Sequence, residues 1–296
     1  MSQNLPDHYV MQYANTIAML LQQKESRFES AVTVGSYIGK QASPVDQIGA
    51  IEMLPVTTRF APMGRVDAAL DRRWVLPSDF ELPQLIDSFD KLRLLNDPSS
   101  AYLQNALMAA NRKKDAVIYA AMFGTAKTGV EGGTSTAFGT SQFVSVDTGG
   151  AASGLNLAKL KAAKQILMAN EVDLDSDPIF CAIDADEHNN LLNEVQIVNT
   201  DYNDRPVLVD GRIRSFLGIN FLHYEAVTTA TDDQSGTSKQ IPMWAKSGMH
   251  LGMWNGVETN ITQREDLSGR PWQAYLAMTL GATRLEEDKI VRVWAR

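Results

Sequence analysis

QASPVDQIGAIEMLPVTTRFAPMGRVDAALDRRWVLPSDFELPQLIDSFDKLRLL, residues 41–95, is the stretch on which the fold turns. Pro44, Pro55, Pro62, Pro77 and Pro83 leave no helical run of useful length between the early ones. The composition is nevertheless not that of a disordered linker. Ile48, Ile51, Met53, Leu54, Val56, Phe60, Val66, Leu70, Trp74, Val75, Leu82, Leu85 and Ile86 are all large and apolar. Ordering such a ribbon costs about 1–2 kcal/mol per residue in backbone entropy, and burial returns only about 25 cal/mol per Å² of apolar surface. A projecting ribbon does not find enough surface on its own domain, so a neighbouring subunit is expected to supply it. The alternating runs Val56–Phe60 and Arg73–Val75 read as strands of a long hairpin, with Met63-Gly64-Arg65 near its tip.

Upstream, Val10, Tyr13, Ala14, Ile17, Ala18, Leu20 and Leu21 recur at helical spacing and predict an amphipathic helix over residues 9–27. Downstream, Asp97 as N-cap and Pro98 at the first helical position open a run to Phe123 that contains neither glycine nor a further proline. At 1.5 Å per residue this helix is about 37 Å long, a strut spanning the subunit, and Gly124 stops it. Residues 124–153 hold seven glycines and ten Ser/Thr, the composition of a domain boundary, with a short strand near Gln142–Val146. Beyond it the pattern predicts a helix over Leu155–Ala169, a buried strand over Pro178–Ile183 and a helix over Ala185–Val195. Strands at Pro206–Val209 and Phe216–Tyr224 flank a turn at Asp210-Gly211, and Thr228–Ser238 reads as a polar loop. Further strands are expected at Ile241–Ala245, Met249–Trp254, Val257–Gln263, Trp272–Leu280 and Ile290–Trp294. The fold class is α+β, without internal repeat and without βαβ alternation.

The 296 residues allow one or two domains. Asp and Glu outnumber Lys and Arg in every third of the chain, 12 to 9, 11 to 7 and 12 to 11, so no basic stripe marks a nucleic-acid groove. An acidic protein can still enclose DNA without gripping it. Cys181 is the only cysteine, which excludes an intrachain disulfide and a cysteine-rich zinc site. Met1–His8 lacks the pattern of a signal peptide, and no apolar run reaches the length of a bilayer span. A soluble cytosolic product with no membrane partner is expected.

No constellation argues for catalysis. Asp173-Leu-Asp175-Ser-Asp177 begins like a calcium loop, but Pro178 and Asp184 stand where the turn glycine and the bidentate Glu belong, which leaves a solvated acidic turn. Asp184, Asp186, Glu187 and His188 cluster at a helix start, where acids suit the helix dipole; a single imidazole there makes a poor zinc motif. Lys127 precedes the last glycine of Gly124–Gly129, so no P-loop forms, and Gly248, Gly252 and Gly256 have the wrong spacing for a dinucleotide site. His8, His188, His223 and His250 are scattered, and Cys181 reads as a buried small hydrophobe. Arg59, Arg65, Arg72 and Arg73, with Asp67, Asp71, Asp79 and Glu81, decorate the extended segment either as a solvated hairpin face or as charge pairs between subunits.

Taken in order, these elements resemble the major capsid protein of tailed bacteriophages, the Hong Kong 97 type. Asp97-Pro98 through Gly124-Thr125 looks like the family's spine helix and its exit, and Leu155–Ala169 followed by Pro178–Asp184 looks like the helix and first strand of the axial domain. Asp210–Phe221 looks like the strand entering at Gly218-Ile-Asn-Phe, and Gly281-Ala-Thr-Arg284 before Ile290–Trp294 looks like the C-terminal end. The resemblance implies an N-terminal arm at 1–40, an extended E-loop at 41–90 and a peripheral domain at 91–153 with its spine helix over about 98–123. It also implies an axial domain at 154–268 and a return to the peripheral domain at 269–296. Relatives that begin with a cleaved scaffolding segment are longer at that end, so a separate scaffolding protein, or none, is implied. No lysine occurs between Gln41 and Asp90, which argues against the lysine–asparagine cross-link of some relatives.

The resulting expectation is a shell protein, not an enzyme, with no cofactor and no metal. It assembles as pentamers and hexamers of itself around packaged DNA that it does not bind sequence-specifically. Scaffold, portal and a decoration protein are its other expected partners, synthesis takes place in the host cytoplasm, and the virion is its destination. Phe60, Arg59, Arg65, Asp67, Arg72, Arg73 and Trp74 are the expected inter-subunit contacts, and removing residues 48–76 should abolish assembly without unfolding the subunit. The rivals are an encapsulin-type bacterial compartment, a metal-dependent enzyme built on Asp184 and His188, and a tail-tube subunit.

Overall fold

A computed structural model of the chain describes residues 22–39, 43–55, 58–59, 64–86, 99–194 and 211–296. Its elements are β1 (Thr33–Ser36), β2 (Ser43–Ile48), β3 (Leu70–Val75), β4 (Ser78–Ile86), α1 (Ser99–Phe123), β5 (Ala126–Thr128), β6 (Thr134–Thr136) and β7 (Phe143–Val144). Then follow α2 (Leu157–Ala169), β8 (Ile179–Ile183), α3 (Ala185–Leu192), β9 (Ser215–Phe216), β10 (Ile219–His223), β11 (Thr229–Thr231), β12 (Thr237–Ala245), β13 (Met249–Gln263), β14 (Trp272–Arg284) and β15 (Ile290–Ala295).

Two compact units share the chain. One takes residues 1–26, 78–114 and 254–280, and the other takes 27–77, 115–253 and 281–296. The division falls inside α1, β13 and β14, so these three long elements run from one unit into the next.

The larger unit is built on a sheet ordered β7-β15-β12-β8-β10-β9, with β11 paired to β12. Amphipathic α2 covers it: Leu160, Ala163 and Leu167 join Ile179, Cys181, Ile183, Ile241, Met243, Val291 and Val293 in one buried cluster. The helix starts where Asn156 accepts the Lys159 N–H at 2.8 Å, an N-cap that satisfies an orphan donor. Lys159 is itself buried, its ammonium donating to the carbonyls of Ser153 and Gly154. Asp184 caps α3 in the same way, taking the Glu187 N–H at 3.0 Å. Leu217 and Gly218 both have positive φ, which turns β9 back onto β10.

Helix α1 has 25 residues, as the uninterrupted run predicts. Ala106, Ala110, Lys114, Ile118 and Met122 are buried at intervals of four, so one narrow stripe is covered along its length. Asp115 accepts the N–H groups of Arg27 and Phe28 at 3.0 and 3.2 Å, and the Phe28 ring meets Tyr224 at a tilt and Trp244 edge to face. In the smaller unit, Ser78–Ile86 pairs antiparallel with Trp272–Leu280.

Several expectations are corrected. Residues 9–21 of the N-terminal helix lie outside the described residues, and residues 22–27, its remaining part, are not helical. The Gln22 side chain bonds Asn105 and Arg112, and the Lys24 carbonyl, which a helix ladder would have used, accepts from Asn111 of α1 instead. The hairpin strands are Ser43–Ile48 and Leu70–Val75; Thr58-Arg59, the described part of Val56–Phe60, forms a turn. Pro44 lies within β2, the edge strand of the order β2-β3-β5-β6, where a missing N–H is tolerated. Pro83 is tolerated in β4 for the same reason, since β4 also pairs on one side only. Thr229–Thr231 pairs within the predicted polar loop, β13 runs unbroken past Gly256, and β8-α3-β10 is a parallel βαβ crossover where none was expected. Asp97, Pro98 and Pro206–Val209 lie outside the described residues.

Candidate subunit interface

The β2–β3 ladder is anchored at its base and open at its far end. At the base, Val75 is fully buried and Trp74 donates its indole N–H to the Gly129 carbonyl at 2.7 Å; one rung short of the open end, Gln47 donates to the Leu285 carbonyl at 2.6 Å. Gly281 completes the anchor. A Cβ there would lie 2.0 Å from the Leu76 carbonyl oxygen, so only glycine permits this approach. The last rung is Ile48–Leu70, closed by the Gly49 N–H on the Ala69 carbonyl at 2.7 Å.

Beyond that rung the described apolar side chains of the loop stay uncovered. Met53 is 98% exposed and Leu70 78%, and Ile48, Ile51, Leu54 and Val66 are exposed as well. Singly exposed apolar residues are ordinary, but six within one loop and its last rung form the kind of surface that marks an interaction site.

The charged residues of the segment divide. Arg65 and Asp67 pair at 2.7 Å with 85% and 67% of their side chains exposed, and Arg72 meets Asp46 at 2.6 Å. Such exposed pairs contribute about 0–1 kcal/mol, so they remain available to a partner. Arg59 is exposed, and Phe60 lies outside the described residues. Arg73 is turned inward, 3.9 Å from Glu287, and Trp74 is held by Gly129. Asp79 accepts from Thr279, and Glu81 from Tyr275. Ile51, Met53 and Leu54, among the apolar residues that the sequence marks for burial, are not among the contacts named from it.

The acidic cluster at α3 is already satisfied. Lys239 reaches Asp184 at 2.6 Å, Asp186 at 2.8 Å and Glu187 at 3.8 Å. Burial pulls its ammonium down, but the hydrogen bonds to Asp184 and Asp186 outweigh that and hold it above the usual lysine range. His188 Nε2 accepts the Ile213 N–H at 3.2 Å, and its basicity is lowered by burial and by His223 and Arg212. Among the described residues no group of His, Cys, Asp and Glu is arranged to hold a metal ion. Asp173 closes the predicted acidic turn by accepting from Asp175 and Ser176. Burial pushes the Cys181 thiol far up, leaving it inert.

One buried cation was missed by sequence reasoning. Arg284 is fully buried and donates to the carbonyls of Met122 and Gly124 at the end of α1, and to Thr136. It satisfies orphan carbonyls at a helix C-terminus, a role its place in Gly-Ala-Thr-Arg gives no sign of.

The family model for phage capsid proteins matches residues 5–295. The chain belongs to the phage capsid protein family. Capsid proteins of known structure share its fold. The capsid of cyanophage P-SCSP1u superposes with a TM-score of 0.74 at 14% identity, over 98% of this chain and 94% of that one. The cyanophage Pam1 capsid gives 0.74 at 12%, over 96% and 95%. The capsid of Helicobacter pylori bacteriophage KHP30 gives 0.72 at 10%, over 100% and 98%. No curated protein sequence matches the chain. The fold is that of Hong Kong 97-type capsid proteins, and this phage capsid protein is a shell-forming component of the virion. No helix among the described residues is long and apolar enough to cross a membrane.

Proposed function

We propose that this capsid protein builds an icosahedral shell of pentamers and hexamers around phage DNA, with the hairpin loop of each copy completed by a neighbour. One observation carries the reading: the anchored β2–β3 ladder ends in apolar side chains that its own chain leaves exposed. Arg59, Arg65, Asp67 and Arg72, with Phe60, are the proposed polar and aromatic contacts around that apolar centre. Arg73 and Trp74 are proposed to support the loop from its base. The arm, E-loop, peripheral and axial divisions at 1–40, 41–90, 91–153, 154–268 and 269–296 go with the same reading, as do a separate scaffold, a portal and a decoration protein. The role is structural, not catalytic, which fits an acidic cluster closed by Lys239. Synthesis in the host cytoplasm is part of the same proposal.

The test is a loop deletion drawn inside the anchor. Val75 is buried and Leu76 packs on Gly281, so removing residues 48–76 would damage the subunit itself. Replacing residues 50–68 by Asn-Gly, a turn that closes a two-stranded ladder, should leave a folded subunit that forms no shells under negative-stain microscopy. Shells of normal size from that variant would refute the reading.

A further inference from the structure

Two clefts of opposite sign lie at the two ends of strand β8. At its carboxyl end, a cleft of about 540 Å³ is lined by Arg27, His188, Arg212 and His223 over an apolar floor that includes Ile183 and Phe221. None of its lining residues is acidic. Arg27 is held in place by the His223 carbonyl and lies 2.6 Å from its Nδ1. One carboxylate borders it: Glu225, 3.2 Å from His223 Nε2 and accepting the Ala185 N–H. Arg212 is exposed and has no ion-pair partner among the described residues.

At the amino end, a cleft of about 530 Å³ is lined by Glu171, Asp173, Asp177, Glu286 and Asp288 against the single cation Lys289. Chain order explains why the acids gather there. Residues 171–177 lead into β8, Ser247 follows β12, and 286–289 lead into β15, so three strand ends converge. Lys289 is bound to Glu286 at 2.8 Å, and Asp177 holds the Ser247 N–H at 3.1 Å. Glu171 is exposed and has no ion-pair partner among the described residues. The five residues of β8 separate the clefts by about 13 Å at about 3.3 Å per residue.

We propose that the cationic cleft of one copy docks on the acidic cleft of the next, head to tail, around the ring of a capsomer. The inference rests on the shell reading above and names a polar contact for it, independent of the apolar loop. Complementary patches at different places on one subunit can pair reciprocally across a two-fold or head to tail; of the two, the head-to-tail contact is the one that closes into the rings the shell reading requires. Opposite charge also sets the direction of docking, because the reversed arrangement would bring like charges together.

The experiment uses Arg212→Glu and Glu171→Lys in the full-length chain, singly and combined. Sedimentation velocity and negative-stain microscopy measure association, and circular dichroism confirms that each subunit is folded. Each single reversal is expected to weaken ring association by about tenfold or more, and the double variant to recover much of the loss, since the reversed pair attracts again. The neutral variants Arg212→Gln and Glu171→Gln are expected to weaken association by a smaller factor, and they decide the matter if a reversal disturbs folding. Single variants that associate like the wild type, or a double variant no better than the singles, would overturn the inference. So would variants that change only the nucleic acid in the particles, which would assign the cationic cleft to phosphate, or a divalent cation that fills the acidic cleft in intact shells. A wild-type chain that forms neither rings nor shells overturns the shell reading and this inference together. Wild-type shells with indifferent variants overturn this inference alone.

Discussion

Strand β12 and the loop beyond Ile48 hold the same kinds of side chain under opposite conditions. In β12, Ile241, Met243, Trp244 and Ala245 are completely buried, between β15 and β8 and, for Ile241 and Met243, in the cluster under α2. In the loop, Ile51, Met53 and Leu54 are exposed, because the ladder that carries them stops at Leu70. The apolar content of a segment therefore says that it will be buried, not which molecule will bury it. In β12 the chain closes on itself; in the loop the closing surface is proposed to belong to another copy.

The sharpest break of that contrast is Trp244→Ala. It removes a fully buried ring that packs edge to face with Phe28 and donates to the Ala31 carbonyl at 2.9 Å. A loss of about 3–5 kcal/mol in unfolding free energy is expected, read by urea titration of the unassembled subunit. Arg284→Met comes next. It leaves the carbonyls at the end of α1 without their donor, for an expected loss of about 1.5–3 kcal/mol, and thermal unfolding would show it.

Lys159 gives a smaller, pH-dependent effect. Burial holds its ammonium down to about 8, from an ordinary 10.5, despite the attraction of Glu187. The unfolded chain therefore binds this proton more tightly than the folded one, and stability should rise with pH between those two values. Comparing wild type with Lys159→Met at pH 7.5 and pH 10 checks it: the difference in unfolding free energy should move toward the wild type as pH rises. At the bottom of the scale, Met53→Ser should change subunit stability by no more than about 0.5 kcal/mol yet reduce shell yield. A Met53→Ser subunit that unfolds more easily would place the loop in the subunit's own core.

Legibility in the sequence followed the physics of each element. Helix α1 could be bounded at both ends because twenty-five residues without proline or glycine have few alternatives, and Gly124 supplies a stop. Strands β8, β12 and β15 were visible as short apolar runs. Two misread strands contain residues that contradict local propensity, Pro44 in β2 and Pro83 in β4, and each proline is tolerated because its strand pairs on one side only. The third, β11, is only three residues long and lies within a polar stretch. The proposed interface is half legible: prolines among large apolar residues mark its place, but the sequence gives no sign that Arg73 and Trp74 have partners within their own chain, at Glu287 and Gly129.

The sequence by itself determined the helices, the apolar strands and the presence of an extended segment too rich in hydrophobic residues to remain alone, because these depend on period, propensity and local stereochemistry. Only the tertiary structure decided which side chains stay uncovered, that Lys239 closes the acidic cluster, that Arg284 terminates α1, and that clefts of opposite sign stand at the two ends of β8. Each of these joins residues that are distant along the chain, and pairing at such distances is set by packing geometry, which no local pattern encodes.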